Sequence, residues 1–249
     1  MEFHGLFEKK AEVYHKTRPG YAPQALELLT SLVPKGSTVA DVGAGTGIFS
    51  NQLLESGFLV KAIEPNPGMR AVAEREFSGR TGFELLGGSA EATGLDDASV
   101  DAVTAGQAFH WFDLEPTKAE WKRILKPGGH VFLVWNSSPW SRSDELEKIQ
   151  ELMIRLKDTR GKAPLQCEYR PDRLAAFFEP LRHEMREFEH DFLISKEGFF
   201  GLAESRSYFP HEGDEGFAEV HKELTELLEE VSDPIQVVIT TTVCFGRLD

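Results

Sequence analysis

The sequence predicts an α/β fold, a mostly parallel, doubly wound sheet with helices on both faces. Three observations point there. Short apolar runs rich in β-branched residues, at 39–42, 59–63, 102–105 and 130–135, alternate with stretches of helical periodicity. The first run enters a glycine turn, Gly43-Ala44-Gly45-Thr46-Gly47, and an amphipathic segment follows at once over 48–55. Punctuating clusters such as Lys126-Pro127-Gly128-Gly129 close the units between strands.

The elements follow in order. Residues 1–36 are a polar lead-in dotted with Phe3, Phe7, Tyr14 and Tyr21; Pro19, Gly20 and Pro23 break any helix before an apolar stripe at 25, 28, 29 and 32. The glycine turn after the first strand needs residues free to adopt positive φ. A helix start behind it offers free N–H groups and the positive end of a dipole, a pocket for a carboxylate or phosphate. The second strand ends at Glu64-Pro65-Asn66, and Pro67 opens the next helix. A short third strand, 83–86, runs into Gly87-Gly88-Ser89-Ala90-Glu91. The fourth strand leads to Gly106-Gln107-Ala108-Phe109-His110-Trp111-Phe112. A helix over 116–125, the breaker and a fifth strand complete five βα-like units between 37 and 136.

Beyond 137 the pattern changes. An amphipathic helix is expected over 144–156, a loop of mixed charge over 157–173, a strand over 187–194, a helix over 216–231 and a last β-branched strand over 237–245. The expected organisation is a lead-in over 1–36, a ligand-binding core over 37–136, a substrate cap over 137–215, and a closing helix and strand over 216–249.

Composition narrows the function. With 41 Asp and Glu against 27 Lys and Arg, the 249-residue chain carries a formal charge of −14. An acidic chain without a basic cluster is repelled by phosphate backbones and anionic membranes, so nucleic acid and membrane are not expected partners. Two distant cysteines, Cys167 and Cys244, support neither a disulfide framework nor a metal site. No basic-then-apolar leader and no membrane-length apolar run stands in the sequence, so a cytoplasmic protein is expected, as a monomer or homodimer.

The glycine spacing decides between nucleotide ligands. The dinucleotide fingerprint G-x-G-x-x-G wants glycine where Ile48 stands, and a P-loop wants a Lys-Ser/Thr pair that is absent. Asp41-Val42-Gly43-Ala44-Gly45-Thr46-Gly47 instead resembles motif I of the class I S-adenosylmethionine (SAM)-dependent methyltransferases. Residues 13–21 resemble the N-terminal segment of the methyltransferase type 11 group, and 107–112 resemble the matching loop of its trans-aconitate methyltransferase-like members.

That resemblance implies a Rossmann-like, seven-stranded sheet with an antiparallel last strand and a helical cap, and SAM as cofactor. Asp41, Gly43, Ala44, Gly45 and Gly47 would then line the methionine end. Glu64 and Pro65 would flank the ribose, a carboxylate being suited to a vicinal diol. Ser89, Ala90 and Glu91 would line the adenine, with Ser89 where the group usually has aspartate. Gln107, Tyr14 and Arg18 would close on the cofactor. His110, Trp111, Arg206 and Tyr208 would face the acceptor, with His110 and Tyr14 at the reacting centre.

The acceptor expected is a small molecule methylated on a carboxylate or hydroxyl oxygen. Methylation of a small amine or protein, a nicotinamide-dependent oxidoreductase and a non-catalytic SAM-binding protein are the alternatives.

Overall fold

A computed structural model describes residues 17–137, 146–160, 170–204, 206, 208–210 and 212–249. Seven strands form one sheet in the order β3-β2-β1-β4-β5-β7-β6. They are β1 (Thr38–Val42), β2 (Leu59–Ile63), β3 (Phe83–Leu86), β4 (Val100–Gly106), β5 (Leu125–Ser137), β6 (His183–Ile194) and β7 (Ile235–Gly246). The first five pair in parallel, whereas β7 runs antiparallel between β5 and β6. The chain order reverses at β1, whose neighbours β2 and β4 lead away in opposite directions; such a switch point opens a crevice at the strands' carboxyl ends.

Period-two alternation along the strands builds two cores. Ala40, Val42, Val103, Val131 and Leu133 meet Trp121 and Ile124 of α4 (Leu114–Ile124) and Phe177 of α6 (Pro171–Phe178). On the other face Val39, Ala102, Phe132 and Val134 meet α1 (Pro23–Leu32) and α2 (Ile48–Glu55). Between β2 and β3, α3 (Pro67–Phe77) is capped by the Asn66 side chain, which accepts from the N–H groups of Gly68 and Met69.

A third cluster forms the cap. Strands β6 and β7 have 12 residues each, about 40 Å, whereas β1 has 5, about 17 Å. The hairpin therefore overreaches the sheet. Its far end, Ile194, Ile235, Val237 and Ile239, packs against α5 (Glu147–Arg160), α7 (Lys196–Glu204) and α8 (Phe217–Glu229) through Leu152, Leu156, Phe199, Leu202 and Leu224. Residues 216–249 thus serve the cap through α8 and the sheet through β7.

Three expectations need correction. No helix links β3 to β4; residues 87–99 are irregular, and Glu120 of α4 holds them by accepting from both the N–H and hydroxyl of Thr93 at 2.9 and 2.6 Å. Lys126–Gly129 does not precede β5 but bulges within it, because the register jumps from Val100↔Leu125 to Ala102↔His130. The loop expected over 157–173 is helical at its ends, α5 running to Arg160 and α6 starting at Pro171, where proline suits a first helical turn.

Candidate active site

The glycine turn folds as its composition requires. Gly43, Gly45 and Gly47 have φ of 70°, 60° and 88°. A Cβ at Gly43 would stand 2.6 Å from the Ala108 methyl, and one at Gly47 would stand 2.4 Å from the Phe77 ring; at Gly45 it would meet open space. The outer glycines are therefore needed for packing, and the middle one keeps a cleft clear.

The backbone N–H groups are less available than the motif suggests. Gly43 and Ala44 donate to the Ile63 carbonyl at 2.8 and 3.1 Å. Gly45 donates to Glu64 Oε2 at 2.8 Å, and Glu64 Oε1 accepts from Asn66 N–H at 2.8 Å. The protein's own carboxylate also occupies the start of α2. Asp41, 1% exposed, accepts from the Ser50 hydroxyl at 2.6 Å, from the Ser50 backbone and from the Thr104 hydroxyl at 3.2 Å. Burial pushes its carboxyl up to about 6; the hydroxyl contacts oppose that rise and the Glu64 charge adds to it.

Around this turn lies a cleft of about 790 Å³, its open mouth included, within the range of small-ligand sites. One wall is the turn with Asp41, Thr46 and Phe49; Gly106 and Gln107 follow from the end of β4; Arg18, Pro19 and Tyr21 close one side; Leu202, Arg206 and Ile239 come from the cap. Gln107 has φ 54°, a left-handed conformation costly for a non-glycine residue, and donates through Nε2 to the Asn136 carbonyl at 2.6 Å. The Thr46 hydroxyl faces this cleft's wall, buried and without a hydrogen-bond partner.

Other expected residues stand near that cleft without lining it. Glu64 is 7% exposed and reaches the turn through Gly45. Pro65 is exposed and Ala90 buried, while Ser89 closes a tight turn with Ala92. Glu91 is spent on a brace, accepting from Asp113 N–H at 3.0 Å and tying the loop after β3 to the start of α4. His110 sits in a 3₁₀ turn, Phe109–Trp111, with its ring 4.9 Å from that of the exposed Trp111. Its Nδ1 is buried and lacks a partner. Burial draws its pKa down to about 4, and the charge of Arg173 adds to the fall. Tyr208 packs against the cap cluster. Tyr14 lies outside the described residues.

Sequence reasoning missed Thr46, Arg70, Asn136 and Arg173. Arg70 donates to the carbonyls of Glu64 and Pro65 at 2.8 and 2.7 Å and so sets the turn after β2. Asn136 donates to the Gly20 carbonyl at 2.8 Å and accepts from the Thr241 hydroxyl at 2.6 Å. The same hydroxyl accepts from Ala22 N–H at 2.9 Å, so the lead-in is fixed over the cleft. The pairings of Asn136, Thr241 and Arg173 join residues more than 60 apart and carry no local signal; an asparagine at the end of a buried strand was the one hint.

Residues 40–133 match the family model described as a methyltransferase domain. An uncharacterised methyltransferase of Mycobacterium tuberculosis is 38% identical over 146 residues, 59% of this chain and 56% of the relative. The chain thus spans about half the length of the curated relatives it matches. A candidate type II methyltransferase of Anaeromyxobacter dehalogenans shares the fold with a TM-score of 0.64 at 23% identity, covering 93% of this chain and 98% of that one. So does a Haemonchus contortus phosphoethanolamine N-methyltransferase in complex with S-adenosylhomocysteine, with a TM-score of 0.54 at 15% identity, covering 98% of this chain and 60% of that one. The open cradle at Gly45, the unpartnered Thr46 hydroxyl and the Glu64 carboxylate fit an adenosyl amino acid. Residues 40–133 accordingly match a methyltransferase domain, and the sheet has the fold of the solved methyltransferases.

Proposed function

We propose that the protein methylates an oxygen of a small acceptor, a carboxylate or hydroxyl, by in-line displacement on SAM. The observation that carries this reading is one cleft with two kinds of wall, the glycine turn and Gln107 on one side, Leu202, Arg206 and Ile239 of the cap on the other. A cap over the strand ends excludes water and favours a small molecule over a polymer; the net charge of −14 disfavours nucleic acid further.

Bound SAM supplies an already activated methyl group. The residues' share is to orient and to desolvate, and such positioning supplies on the order of 7–11 kcal/mol. Gln107, held in a strained conformation by Asn136, and the lead-in from Arg18 to Tyr21 would fix the methionine end. Glu64 would take the ribose hydroxyls. His110 and Trp111, on the loop after β4, would meet the acceptor, as the resemblance of 107–112 to the trans-aconitate methyltransferase-like loop implies. Arg206 would draw a carboxylate by a two-pronged contact. The reading places the enzyme in the cytoplasm, as a monomer or homodimer.

The test is an acceptor screen with methyl-labelled SAM, scoring acids, phenols and amines separately, after calorimetry with S-adenosylhomocysteine. Binding followed by transfer to an acid or hydroxyl supports the reading. Transfer confined to amines, or no cofactor binding at millimolar ligand, overturns it.

A further inference from the structure

We propose that Thr241 and Asn136 are positioning residues for the cleft: they lock the lead-in to the end of β5, and that strand end in turn holds Gln107 in its left-handed conformation. The inference rests on the methyltransferase reading above. It adds Thr241, a buried residue that does not itself line the cleft.

The sheet sets the pair. Asn136 and Thr241 stand directly opposite each other where β5 and β7 run antiparallel. The Thr241 hydroxyl accepts from Ala22 N–H at 2.9 Å and donates to Asn136 Oδ1 at 2.6 Å. Asn136 Nδ2 donates to the Gly20 carbonyl at 2.8 Å. The bonds form a cycle that starts and ends on the lead-in, two residues apart. Its direction is forced. Ala22 N–H can only donate and the Gly20 carbonyl can only accept, so the hydroxyl must turn its hydrogen to Asn136 and the amide must turn its NH2 to Gly20.

The backbone of Asn136 carries the same fix to a second wall. Its carbonyl accepts from Gln107 Nε2 at 2.6 Å, and the Val134 carbonyl, two residues earlier, accepts from Gln107 N–H at 2.9 Å. Gln107 has φ 54°, a conformation that persists only where its surroundings impose it. These two bonds to β5 impose it. Pro19, Tyr21, Gln107 and Asn136 all line the cleft, so one cycle of bonds places walls drawn from three separate stretches of chain.

Stability alone does not call for this arrangement. The two neighbouring pairs on the same face, Phe132 with Phe245 and Val134 with Val243, are buried and apolar. An apolar third pair of the same shape would cost little or nothing, because a hydrogen bond gained within the protein replaces one to water. Hydrogen bonds of fixed direction instead specify one placement of the lead-in.

The experiment uses the full chain and two variants, Thr241→Val, which keeps the volume and removes the hydroxyl, and Thr241→Ser, which restores it. NMR of the ligand-free protein follows the Gln107 side-chain amide, and calorimetry then reads affinity for S-adenosylhomocysteine. The Gln107 resonance should move in Thr241→Val and return in Thr241→Ser. Affinity should fall about fivefold or more in the valine variant, the worth of one hydrogen bond, and stay within about twofold in the serine variant. Added to Gln107→Ala, Thr241→Val should cause no further loss, because both changes break one link. If Thr241→Val does not fold, Asn136→Ala opens the cycle while keeping the carbonyl that Gln107 uses, and the same shift and loss are expected. A threonine that only supports the fold would lower the melting point and leave both the Gln107 resonance and the affinity unchanged; that result, or losses that multiply in the double variant, overturns the proposal. Wild-type protein that binds no S-adenosylhomocysteine overturns the methyltransferase reading instead, and the Gln107 resonance, read without ligand, still decides the linkage.

Discussion

Substituting Glu64 by glutamine tests the cofactor wall most directly. In the structure both carboxylate oxygens accept backbone N–H groups at 2.8 Å, one from Gly45 and one from Asn66. A carboxylate oxygen has two lone pairs, so a ribose hydroxyl could share one that already accepts an N–H. Glutamine retains the shape but turns one oxygen into a donor, which must then face an N–H. If Glu64 holds the ribose, the variant loses one backbone hydrogen bond and one charge-assisted contact to the diol. A hydrogen bond to a charged group is worth about 1.5–3 kcal/mol. At 1.4 kcal/mol per decade, affinity for S-adenosylhomocysteine should fall about 10- to 150-fold.

The stranded N–H adds a stability cost of about 1–3 kcal/mol, which for a domain of this size is a melting-point drop of roughly 2–12 °C. Isothermal calorimetry near neutral pH reads the first quantity and scanning calorimetry the second. A variant that melts lower yet binds within about threefold of wild type refutes the reasoning. Glu64 would then brace the glycine turn and contribute nothing to the sugar.

Other perturbations separate the roles of neighbouring residues. Gly47→Ala should cost more stability than Gly45→Ala, because both carry positive φ but only the former meets an aromatic ring at 2.4 Å; thermal melts rank them, while cofactor affinity should fall in both. Asp41→Asn should stabilise the apo protein near pH 8, by on the order of 3 kcal/mol. A folded carboxyl at about 6 against 3.8 makes stability fall as pH rises between those values, so the gain should shrink towards pH 4 in a pH series of denaturant melts. If transfer needs neutral His110, the acidic limb of the rate profile contributed by this residue should lie near pH 4 and not near 6.5, and His110→Ala should remove it while retaining cofactor binding. Gln107→Gly should relieve left-handed strain and leave the melting point unchanged or raised, whereas Gln107→Val should lower it.

The order of elements from 37 to 136 is written locally. Glycines that must take positive φ, an acid at the end of a five-residue strand and a proline opening the next helix each sit within a few residues of the structure they dictate. What the motif could not disclose is how its N–H groups are used. The sequence offers a helix start open to an anion, yet Asp41 and Glu64 take up N–H groups of Ser50 and Gly45, so the protein completes its own cap and leaves the cleft to side chains. The missing helix between β3 and β4 is likewise hidden. Residues 87–99 hold their shape through Glu120, almost thirty residues away from Thr93, and no period in the sequence reports that bond.

Distance in sequence also explains why the glycine-turn wall is more legible than the cap wall proposed for the acceptor. A cofactor shared by many reactions can be held by one continuous stretch, strand, turn, helix and strand, whose signals lie in a single window. The proposed acceptor wall draws on Leu202, Arg206 and Ile239, brought together by the far end of β7 and the cap helices, and the contact that fixes the lead-in, Asn136 with Thr241, spans more than a hundred residues. Ile235–Ile239 of β7 lie beyond its pairing with β5 and are paired with β6 alone, and the cap helices pack on that overhang. Substrate choice is expected to change along the overhang and the helices it carries without disturbing the short strands β1 to β4. Specificity is expected to reside in cap residues that line the cleft, such as Leu202, Arg206 and Ile239, which the fold brings beside the glycine turn from far along the chain.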